Sequence, residues 1–588
     1  MKKISLIVLA FVLCCSAAFA VPAYRGVIRY TQPDGSVVLL RNHGDEFFHW
    51  TTNAAGKVVE LDKDGYWRPI STEKLNARRN AARAKRNMRN RSYRSGGHIA
   101  LGQKRFLVIL VEFSDVQFKS STANQDFHNL LNENGYSANG GTGSARDFYY
   151  ENSHGDFEPI FDVYGPVCLE NSMATYGAND NDGYDVAAEV AVKEGCQALD
   201  DQIDFSKYDL DGDGYVDLVF MYYAGYGEAD GGSADTIWPH QWELESAEIS
   251  LTLDGKKINS YACTNELNGY GDVKGKMCGI GTACHEFGHA MGLPDLYDTD
   301  YETNGEAGGM YDYSLMCSGS YNNNGRTPPY FTMEERILLG WKGEDDIAEF
   351  PKSGNYTLAS INNNVSYKTP TDQDGEYFVY ECRSKEGWDE YISEAGLIVY
   401  HVDKSGRNVK ITSPYTGGLI SVTASSLWDN WGAYNSINEN GSHPCYYVVP
   451  AGAQTDLNYS GSQFAFPRKA NKKTFTGKSW NGVNSDITLS NISYASNTVS
   501  CYVTVPSENI DYNVIAIPGN GVYAAGSSFE LCLEEAEARP VASVEWFLDD
   551  EPVSGTSVVL RAGGHTIEAV FTLASGETEI LTLELRAE

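Results

Sequence analysis

The chain has 588 residues, a formal net charge of -34 at pH 7 and 42% hydrophobic residues. This length is too great for one hydrophobic core, so three or four domains are expected. The negative charge argues against nucleic-acid binding, which needs lysine and arginine for its phosphate contacts.

The first twenty residues have the organisation of a signal peptide. Lys2 and Lys3 precede an apolar run over Ile4–Cys15, and Ala18-Phe-Ala20 is a small-x-small cleavage site. The run is too short to cross a bilayer, and no later stretch reaches the roughly eighteen apolar residues of a transmembrane helix. We therefore predict a secreted or extracellular protein whose mature form begins at Val21. Retention in the periplasm or on the cell surface stays open.

A small β-rich unit and a basic linker follow. Over residues 21–73, short alternating runs are separated by the turn pairs Asp34-Gly35 and Asp64-Gly65. Eleven Lys or Arg and no acidic residue lie between Lys74 and Arg105, which is typical of an exposed linker with many trypsin-type cleavage sites. A permanent β domain with a solvated linker is one interpretation of this arrangement. We favour the other, in which residues 21–94 are an inhibitory propeptide.

The blocking group of such a propeptide cannot be a thiolate, because residues 21–100 contain no cysteine. A carboxylate is the remaining strong anion. The candidate blocking carboxylates include Asp34, Asp45 and Asp62, and the sequence does not distinguish among them.

Residues 95–345 alternate between buried strands and helices. The apolar run Arg105–Phe113 predicts a buried central strand, and Leu218–Tyr223 predicts another. Helices are predicted near Ala145–Tyr150 and over Asp185–Leu199. The pattern indicates one domain of mixed α/β structure.

The segment Cys284-His-Glu-Phe-Gly-His-Ala-Met-Gly-Leu-Pro-Asp295 has the spacing of a metal site. On a helix, His285 and His289 lie one above the other on one face and can bind a single Zn²⁺. Glu286 flanks that face, where its carboxylate can hold a metal-bound water and take its proton. This pattern predicts hydrolysis with Glu286 as the general base.

The residues after the second histidine suggest a third ligand. Gly292 and Pro294 end the helix, and the short turn lets Asp295 return to the metal. A third ligand after a glycine turn is the metzincin arrangement, with Asp where His is more common. Metzincins also place a methionine in a tight turn beneath the metal, and Met316 fits that position.

These features resemble one protein family. The segment from His285 to Asp298 is similar to the immune inhibitor A family, family six of the metallopeptidases. The resemblance includes Phe161–Pro166, Asp209–Asp217, Gly387–Tyr391 and Gly396–Asp403, so it extends over roughly residues 100–505. It implies a secreted zinc endopeptidase with two His and one Asp as ligands and a Glu as general base. Carried over, the ligands are His285, His289 and Asp295, and the base is Glu286.

A second metal site is predicted in an Asp/Gly-rich loop that has ligand spacing similar to an EF-hand. Its candidate ligands are Asp209, Asp211, Asp213, the carbonyl of Tyr215, and Asp217. Position 12 is Phe220 rather than Glu, which argues against an EF-hand helix pair. We predict a structural Ca²⁺ loop, because four carboxylates so close together repel one another without a cation. A turn without an ion is the alternative.

The remainder of the chain is predicted to be β-structure. Over residues 346–505 helical periodicity disappears, and short strands such as Tyr377–Glu381 and Gly396–His401 indicate a β-sandwich domain. Residues 506–588 continue this pattern. A lone Trp546 in a predicted strand suggests an immunoglobulin-like sandwich.

The predicted fold is therefore multidomain, with an α/β zincin (metzincin-like) catalytic domain followed by β-sandwich domains. The predicted function is a zinc-dependent endopeptidase acting on protein or peptide substrates as a monomer. One alternative is a surface or carbohydrate-binding protein with a vestigial zinc site, and another is a non-peptidase zinc hydrolase. An intact Glu286 argues against a binding-only role. Tyr313 and Tyr321 are candidate oxyanion stabilisers, and His240 and His401 are expected to be structural.

Overall fold

The computed structural model describes residues 21–45, 48–79, 99–180, 185–300, 307–413, 416–452, 463–506, 514–517, 522–536 and 539–588. The predicted signal peptide and most of the basic linker lie outside the described residues. The chain divides into two compact units, Met1–Val505 and Pro506–Glu588. Among the described residues, no helix is long and apolar enough to cross a membrane.

Five short strands near the N-terminus form one antiparallel sheet in chain order. They are β1 (Ile28–Thr31), β2 (Val37–Gly44), β3 (His49–Asn53), β4 (Val58–Leu61) and β5 (Trp67–Pro69). In the two predicted Asp-Gly turns, Gly35 and Gly65 each have a φ of 81°. Glycine adopts this conformation readily because it has no Cβ. The β-rich pattern of residues 21–73 thus corresponds to real strands.

A second sheet lies at the centre of the region that follows. The strands of this region are β6 (Gly102–Glu112), β7 (Phe157–Cys168), β8 (Tyr215–Val216), β9 (Val219–Tyr226), β10 (His240–Glu243), β11 (Leu251–Leu253), β12 (Lys256–Ile258) and β13 (Ser260–Leu267). The central sheet has the order β10-β13-β9-β6-β7, and β11-β12-β8 form a small separate sheet. Four central strands are parallel, and the edge strand β10 is antiparallel to β13.

Helices cover both faces of the central sheet. They are α1 (Ala123–Asn132), α2 (Ala145–Asn152), α3 (Met173–Gly177), α4 (Ala188–Ala198), α5 (Gly281–Met291) and α6 (Met333–Leu338). Side chains alternate along β6, so Phe106 and Val108 join the cluster that contains Phe287 of α5. Leu107 and Ile109 join the other cluster, with residues of α4. This two-sided burial explains why the strand is apolar throughout.

Residues 346–505 form two further sheets, a hairpin and two short helices. The strands are β14 (Ala348–Glu349), β15 (Gly354–Ala359), β16 (Ser366–Pro370), β17 (Glu376–Arg383), β18 (Gly396–Asp403), β19 (Asn408–Thr412), β20 (Leu419–Thr423), β21 (Tyr446–Val449), β22 (Phe475–Lys478), β23 (Asn484–Ala495) and β24 (Thr498–Thr504). The sheets have the orders β14-β16-β17-β18-β21 and β15-β24-β23-β22, and β19 pairs with β20.

The two helices of this region, α7 (Ala424–Asp429) and α8 (Trp431–Tyr434), differ from the all-strand prediction. At this length a helix completes too few turns for a periodic pattern to be read from the sequence. The Thr423 side chain accepts a hydrogen bond from Ser426 N and caps the first of them.

One hydrophobic core extends from the central sheet into residues 346–505. Ile398, Tyr400 and Tyr446 belong to the same buried cluster as Phe287. The fully buried Arg383 is paired with Asp389 at 2.6 Å and donates to the Tyr330 carbonyl at 2.9 Å. The two regions are therefore packed into a single unit.

The second unit contains strands alone among its described elements. They are β25 (Val514–Ala516), β26 (Val522–Tyr523), β27 (Ser528–Glu530), β28 (Cys532–Glu534), β29 (Val541–Leu548), β30 (Glu551–Pro552), β31 (Ser557–Val559), β32 (Gly563–Leu573) and β33 (Thr578–Ala587). The largest sheet has the order β26-β33-β32-β29-β30. Trp546 is buried in its core with Leu560, Ile567 and Phe571.

Candidate metal centre

Helix α5 carries both candidate histidine ligands on one buried face. His285 and His289 are separated by one turn, and each is 0% exposed. The helix ends at Met291, and Gly292 follows with a φ of 116°. Leu293 N then donates to Gly288 O at 3.0 Å. This left-handed cap is the helix end that the sequence predicted at Gly292.

The turn after the helix brings Asp295 against both imidazoles. Asp295 Oδ1 lies 3.2 Å from His285 Nε2 and 3.3 Å from His289 Nε2. The two Nε2 atoms are 3.1 Å apart. All three residues are buried and form a cluster with the geometry of a metal site. The sequence prediction of these three as neighbours agrees with their positions.

Each imidazole uses its Nδ1 in a hydrogen bond to a backbone carbonyl. The Nε2 atoms, which face Asp295, are therefore acceptors. His285 Nδ1 lies 2.9 Å from Leu315 O, and His289 Nδ1 lies 2.7 Å from Leu293 O. A carbonyl oxygen only accepts, so each Nδ1 must carry the proton. Neutral imidazoles then present Nε2 lone pairs, and a carboxylate oxygen faces them. Three acceptors in mutual contact repel one another unless a cation lies between them.

The dimensions of this triangle suit Zn²⁺. Ligands at about 2.0–2.1 Å from a tetrahedral ion lie about 3.3 Å from each other, and the three measured edges are 3.1–3.3 Å. Asp295 Oδ1 is also buried without a hydrogen-bond partner in the described part of the chain. Two imidazoles and one carboxylate are an ordinary donor set for zinc. The residues present therefore fit a zinc ion.

The pKa values at the centre reflect its burial. Burial lowers the pKa of His289 below its ordinary value, despite the opposing charge of Asp295. For Asp295, burial acts to raise the pKa, but the neighbouring His289 and His285 hold it below its usual range. Both directions favour the neutral imidazole and the ionised carboxylate, which are the metal-binding forms.

Two side chains contact the segments that carry the three candidate ligands. Met316 is fully buried, and its Sδ would lie 2.9 Å from a Cβ added to Gly288, so the thioether packs directly against the helix that carries the histidines. Met316 O accepts from Leu296 N at 2.8 Å, next to Asp295. On the other side, Asn435 Nδ2 donates to Asp295 Oδ2 at 2.6 Å. The spacing of Met316 predicts a position beneath the metal, whereas no sequence signal indicates Asn435.

Glu286 is fully buried beside the triangle. Its Oε1 accepts a hydrogen bond from Val21 N at 2.8 Å. Its Oε2 has no hydrogen-bond partner among the described residues. Burial raises the pKa of Glu286 well above its ordinary value, and the charge of Asp295 adds to this, while the Val21 hydrogen bond opposes it.

The first described residues of the chain are buried beside Glu286, in a space lined by Ala229, Trp238 and Tyr321 that we call the cleft. Val21 is 0% exposed and packs in one apolar cluster with Ala229 and Trp238. Trp238 Nε1 donates to Val21 O at 3.3 Å, and Tyr321 OH donates to the next carbonyl, Pro22 O, at 2.8 Å. Backbone bonds of this kind hold a peptide without regard to its sequence. The group that contacts Glu286 is thus a backbone nitrogen, and not one of the carboxylates proposed from the sequence.

The proposed carboxylates have local roles. Asp34 accepts from Ser36 N, Asp45 from Phe48 N, and Asp62 from Tyr66 N. These are turn and cap hydrogen bonds within the N-terminal sheet region.

Of the two tyrosines and two histidines singled out in the sequence, only Tyr321 contacts the segment beside Glu286. Tyr321 reaches the segment in the cleft, whereas Tyr313 OH donates to Glu394 O at 2.9 Å and faces away. His240 is buried and lies 2.8 Å from Tyr261 OH, and His401 lies 2.9 Å from Glu376. The last two contacts agree with the structural roles expected for these histidines.

The Asp/Gly-rich loop brings three of its four carboxylates together. Asp209, Asp211 and Asp217 form the cluster, while Asp213 Oδ1 accepts from Tyr215 N at 2.8 Å and is outside it. Lys256 Nζ lies 2.6 Å from Asp209 Oδ2. Partial burial opposes ionisation of Asp209, but the Lys256 hydrogen bond and charge keep its pKa below the usual range.

Comparison with known proteins supports the resemblance found in the sequence. Residues 99–336 match the family model "Immune inhibitor A peptidase M6, catalytic domain". This match contains both clusters but ends before Asn435, and it is shorter than the span to residue 505 expected from the sequence.

Two curated relatives are similar over part of their length. Immune inhibitor A of Bacillus thuringiensis subsp. alesti is 28% identical over 221 residues, which are 32% of this chain and 31% of that protein. Pre-pro-metalloprotease PrtV of Vibrio cholerae serotype O1 (strain M66-2) is 27% identical over 261 residues, 38% of this chain and 28% of that protein. The chain thus spans less than a third of the length of the curated relatives it matches.

Among solved structures, wild-type OgpA from Akkermansia muciniphila is 11% identical and covers 83% of this chain and 94% of its own. The TM-score is 0.22.

Proposed function

We propose that this chain is a secreted zinc-dependent endopeptidase, because residues 99–336 match the catalytic-domain model of the immune inhibitor A peptidases, family M6. The observation that carries the proposal is the triangle of buried acceptor atoms from His285, His289 and Asp295, with Glu286 beside it. His285, His289 and Asp295 would hold the ion. The substrates are proteins or peptides, and the enzyme acts as a monomer.

The chemistry would be hydrolysis of a peptide bond. A bound zinc ion would polarise the scissile carbonyl and lower the pKa of a water molecule toward about 7. Glu286 takes a proton from the attacking water and gives it to the leaving nitrogen as the C–N bond breaks. The Glu286 carboxylate can perform both steps, because it accepts the proton from water and, once protonated, donates it to the nitrogen.

The position of Val21 supports this role of Glu286. Its nitrogen lies 2.8 Å from Glu286 Oε1, which is the distance over which a carboxyl group passes a proton to an amine. A nitrogen at this point corresponds to the leaving amine of a cleaved substrate, and the residues after it run along the cleft as a product would.

A casein zymogram tests the activity. The processed enzyme should clear casein, a chelator should abolish clearing, and added Zn²⁺ should restore it. Glu286→Gln should bind zinc to the same extent and lose at least about 10³-fold in rate, because an amide cannot accept the proton. Near-normal hydrolysis by this variant, with zinc content verified, would rule out Glu286 as the base. If the wild-type protein fails to clear casein, a binding protein with a vestigial site or a non-peptidase hydrolase becomes the better account.

We also propose that residues 21–94 act as an inhibitory propeptide. Residues 21–24 fill the cleft, and Tyr24 stacks on Tyr270 with ring centroids 3.7 Å apart. A substrate cannot reach Glu286 while Val21 is bound there. N-terminal sequencing of the secreted, active enzyme decides the matter. A start between Arg78 and Lys104 supports the propeptide, and an active form that still begins at Val21 contradicts it.

Three finer assignments belong to the same proposal. The region 95–345 has the metzincin type of catalytic fold with Met316 in the methionine turn, and the later regions 346–505 and 506–588 are β-sandwich domains, the last one immunoglobulin-like. A signal peptide over residues 1–20 exports the chain. The carboxylates of Asp209, Asp211 and Asp217 hold a structural Ca²⁺ ion, with Asp213 and the Tyr215 carbonyl as the remaining candidates.

A further inference from the structure

Asp295 is held by one side chain from a distant part of the sequence. Asn435 Nδ2 donates to Asp295 Oδ2 at 2.6 Å, and Asn435 Oδ1 accepts from Asp295 N at 2.9 Å. Both ends of one amide therefore bind the carboxylate and the backbone of the same residue. The two residues are 140 positions apart.

This pair of hydrogen bonds from Asn435 determines which carboxylate oxygen of Asp295 faces the histidines. Because Oδ2 is occupied by the amide of Asn435, Oδ1 is the atom directed at His285 and His289. A buried carboxylate without this donor would be free to rotate or to turn both oxygens toward the metal. We propose that Asn435 is the positioning residue of the metal centre, which sets Asp295 as a single-oxygen ligand. The inference rests on the zinc-binding function proposed above.

The backbone at Asn435 is suited to this task. Its φ is 45°, a left-handed conformation that asparagine tolerates better than most residues. The residue follows α8 directly, and its own carbonyl accepts from Thr299 Oγ1 at 2.8 Å. Backbone and side chain are thus both tied to the Asp295 segment. An amide is required here because it offers a donor and an acceptor together, whereas a carboxylate offers acceptors only.

Residues near Asn435 make further hydrogen bonds to the segment that follows Asp295. Asn438 Nδ2 donates to Leu296 O at 2.9 Å, and Val448 N donates to Gly309 O at 3.2 Å. The region that follows the family match therefore supports the loop that carries the third ligand. Residues 99–336 contain all three proposed ligands but not the group that orients one of them. We infer that the catalytic region requires residues 346–505 for full metal affinity.

The test measures zinc affinity in the full chain from Val21. Every variant carries Glu286→Gln, so that turnover and self-cleavage do not interfere. Competition with a chromophoric chelator gives the dissociation constant for Zn²⁺. Loss of a hydrogen-bonding partner of a metal ligand typically weakens binding 10–100-fold, and we expect a loss of about that size for Asn435→Ala. Asn435→Asp, which keeps the shape and removes the donor, should weaken binding at least as much.

Two further measurements distinguish positioning from general damage. With Co²⁺ in place of zinc, both Asn435 variants should change the visible absorption bands, which report the ligand geometry. Asn124→Ala removes an amide of α1 that donates to Val163 O and Gly165 O and has no part in the Asp295 loop or in residues 346–505, so it should leave the spectrum unchanged and the zinc affinity within about threefold of the parent. If Asn435→Ala does not fold, Asn435→Asp carries the test alone.

The outcomes are separable from those of the proposed function. If the parent with Glu286→Gln binds no zinc, the proposed function fails and with it this inference. If the parent binds zinc tightly and Asn435→Asp binds it within twofold with an unchanged cobalt spectrum, only the positioning role is overturned.

Discussion

Two carboxylate-containing clusters in the described part of the chain are alike in size but differ in what surrounds them. In each, three candidate ligand atoms lie within 4.8 Å of one another. At the His285 cluster all ligands are buried, and each imidazole has its only N–H directed at a carbonyl oxygen. At the Asp209 cluster the groups are partly exposed, and the Lys256 ammonium already lies against one carboxylate.

The difference concerns the source of positive charge. The loop around Asp209 supplies its own, through Lys256 and through backbone donors such as Gly212 N at 2.8 Å and Gly214 N at 3.0 Å. Among the described residues, no cationic side chain contacts the His285 cluster. A bound metal ion would therefore supply the positive charge there. We therefore expect strong metal dependence at the first cluster and weak dependence at the second.

The largest expected effect is the loss of zinc from Asp295→Ala. Two imidazoles alone form a weak site, and removing a direct ligand should exceed the 10–100-fold effect of removing an outer partner. We expect zinc affinity to fall by more than about 100-fold, measured by metal analysis and chelator competition. Asp211→Ala in the other cluster is the matched control and should leave zinc affinity unchanged. Full zinc occupancy in Asp295→Ala would mean that Asp295 is only a turn residue.

The sequence predicts the first cluster well because its information is local. His285 and His289 are fixed by helical periodicity, and Gly292 reports the left-handed cap that turns the chain back to Asp295. The same holds for β6, where an unbroken apolar run corresponds to a strand buried on both faces. In each case neighbours in sequence are neighbours in space.

What the sequence does not predict comes from contacts between distant segments. Asn435 is one asparagine among many, and only the packing of α8 against the loop after α5 brings it to Asp295. Val21 is apolar and carries no catalytic signature, yet its nitrogen contacts Glu286 across 265 positions. The sequence therefore predicts a blocking group among the acidic side chains, because a backbone nitrogen has no signature in a sequence.

An effect of intermediate size is expected from a peptide that imitates residues 21–24, which lie beside the His285 cluster. Val-Pro-Ala-Tyr, the sequence of residues 21–24, should inhibit the processed enzyme by binding as a product. The Val21 side chain is 0% exposed, and burying such a side chain is worth about 1.5–3 kcal/mol. Gly-Pro-Ala-Tyr should therefore inhibit at least about 10-fold more weakly. Equal inhibition constants for the two peptides would show that the Val21 pocket does not contribute to binding.

The smallest expected effect is the response of the Asp209 loop to Ca²⁺. If the loop binds calcium, the ion should raise the melting temperature by only a few degrees, because Lys256 already neutralises part of the charge. Asp211→Ala removes a member of the cluster and should abolish this rise. Asp200→Ala, which removes an exposed carboxylate that is not among the candidate ligands, should retain it. Differential scanning calorimetry with and without Ca²⁺ measures both.

Lys256→Met gives the sharpest form of this last test, because lysine and calcium compete for the same carboxylate. Without calcium, the variant leaves the Asp209 side chain, which is 1% exposed, without its cation, so the melting temperature should fall by roughly 1 °C for each kcal/mol lost in a unit of this size. With calcium, the ion can take the place of the ammonium group, so the rise should be larger than in the parent. A variant that is destabilised equally with and without calcium would identify Lys256 as the permanent counter-ion of the loop and exclude a calcium site at Asp209.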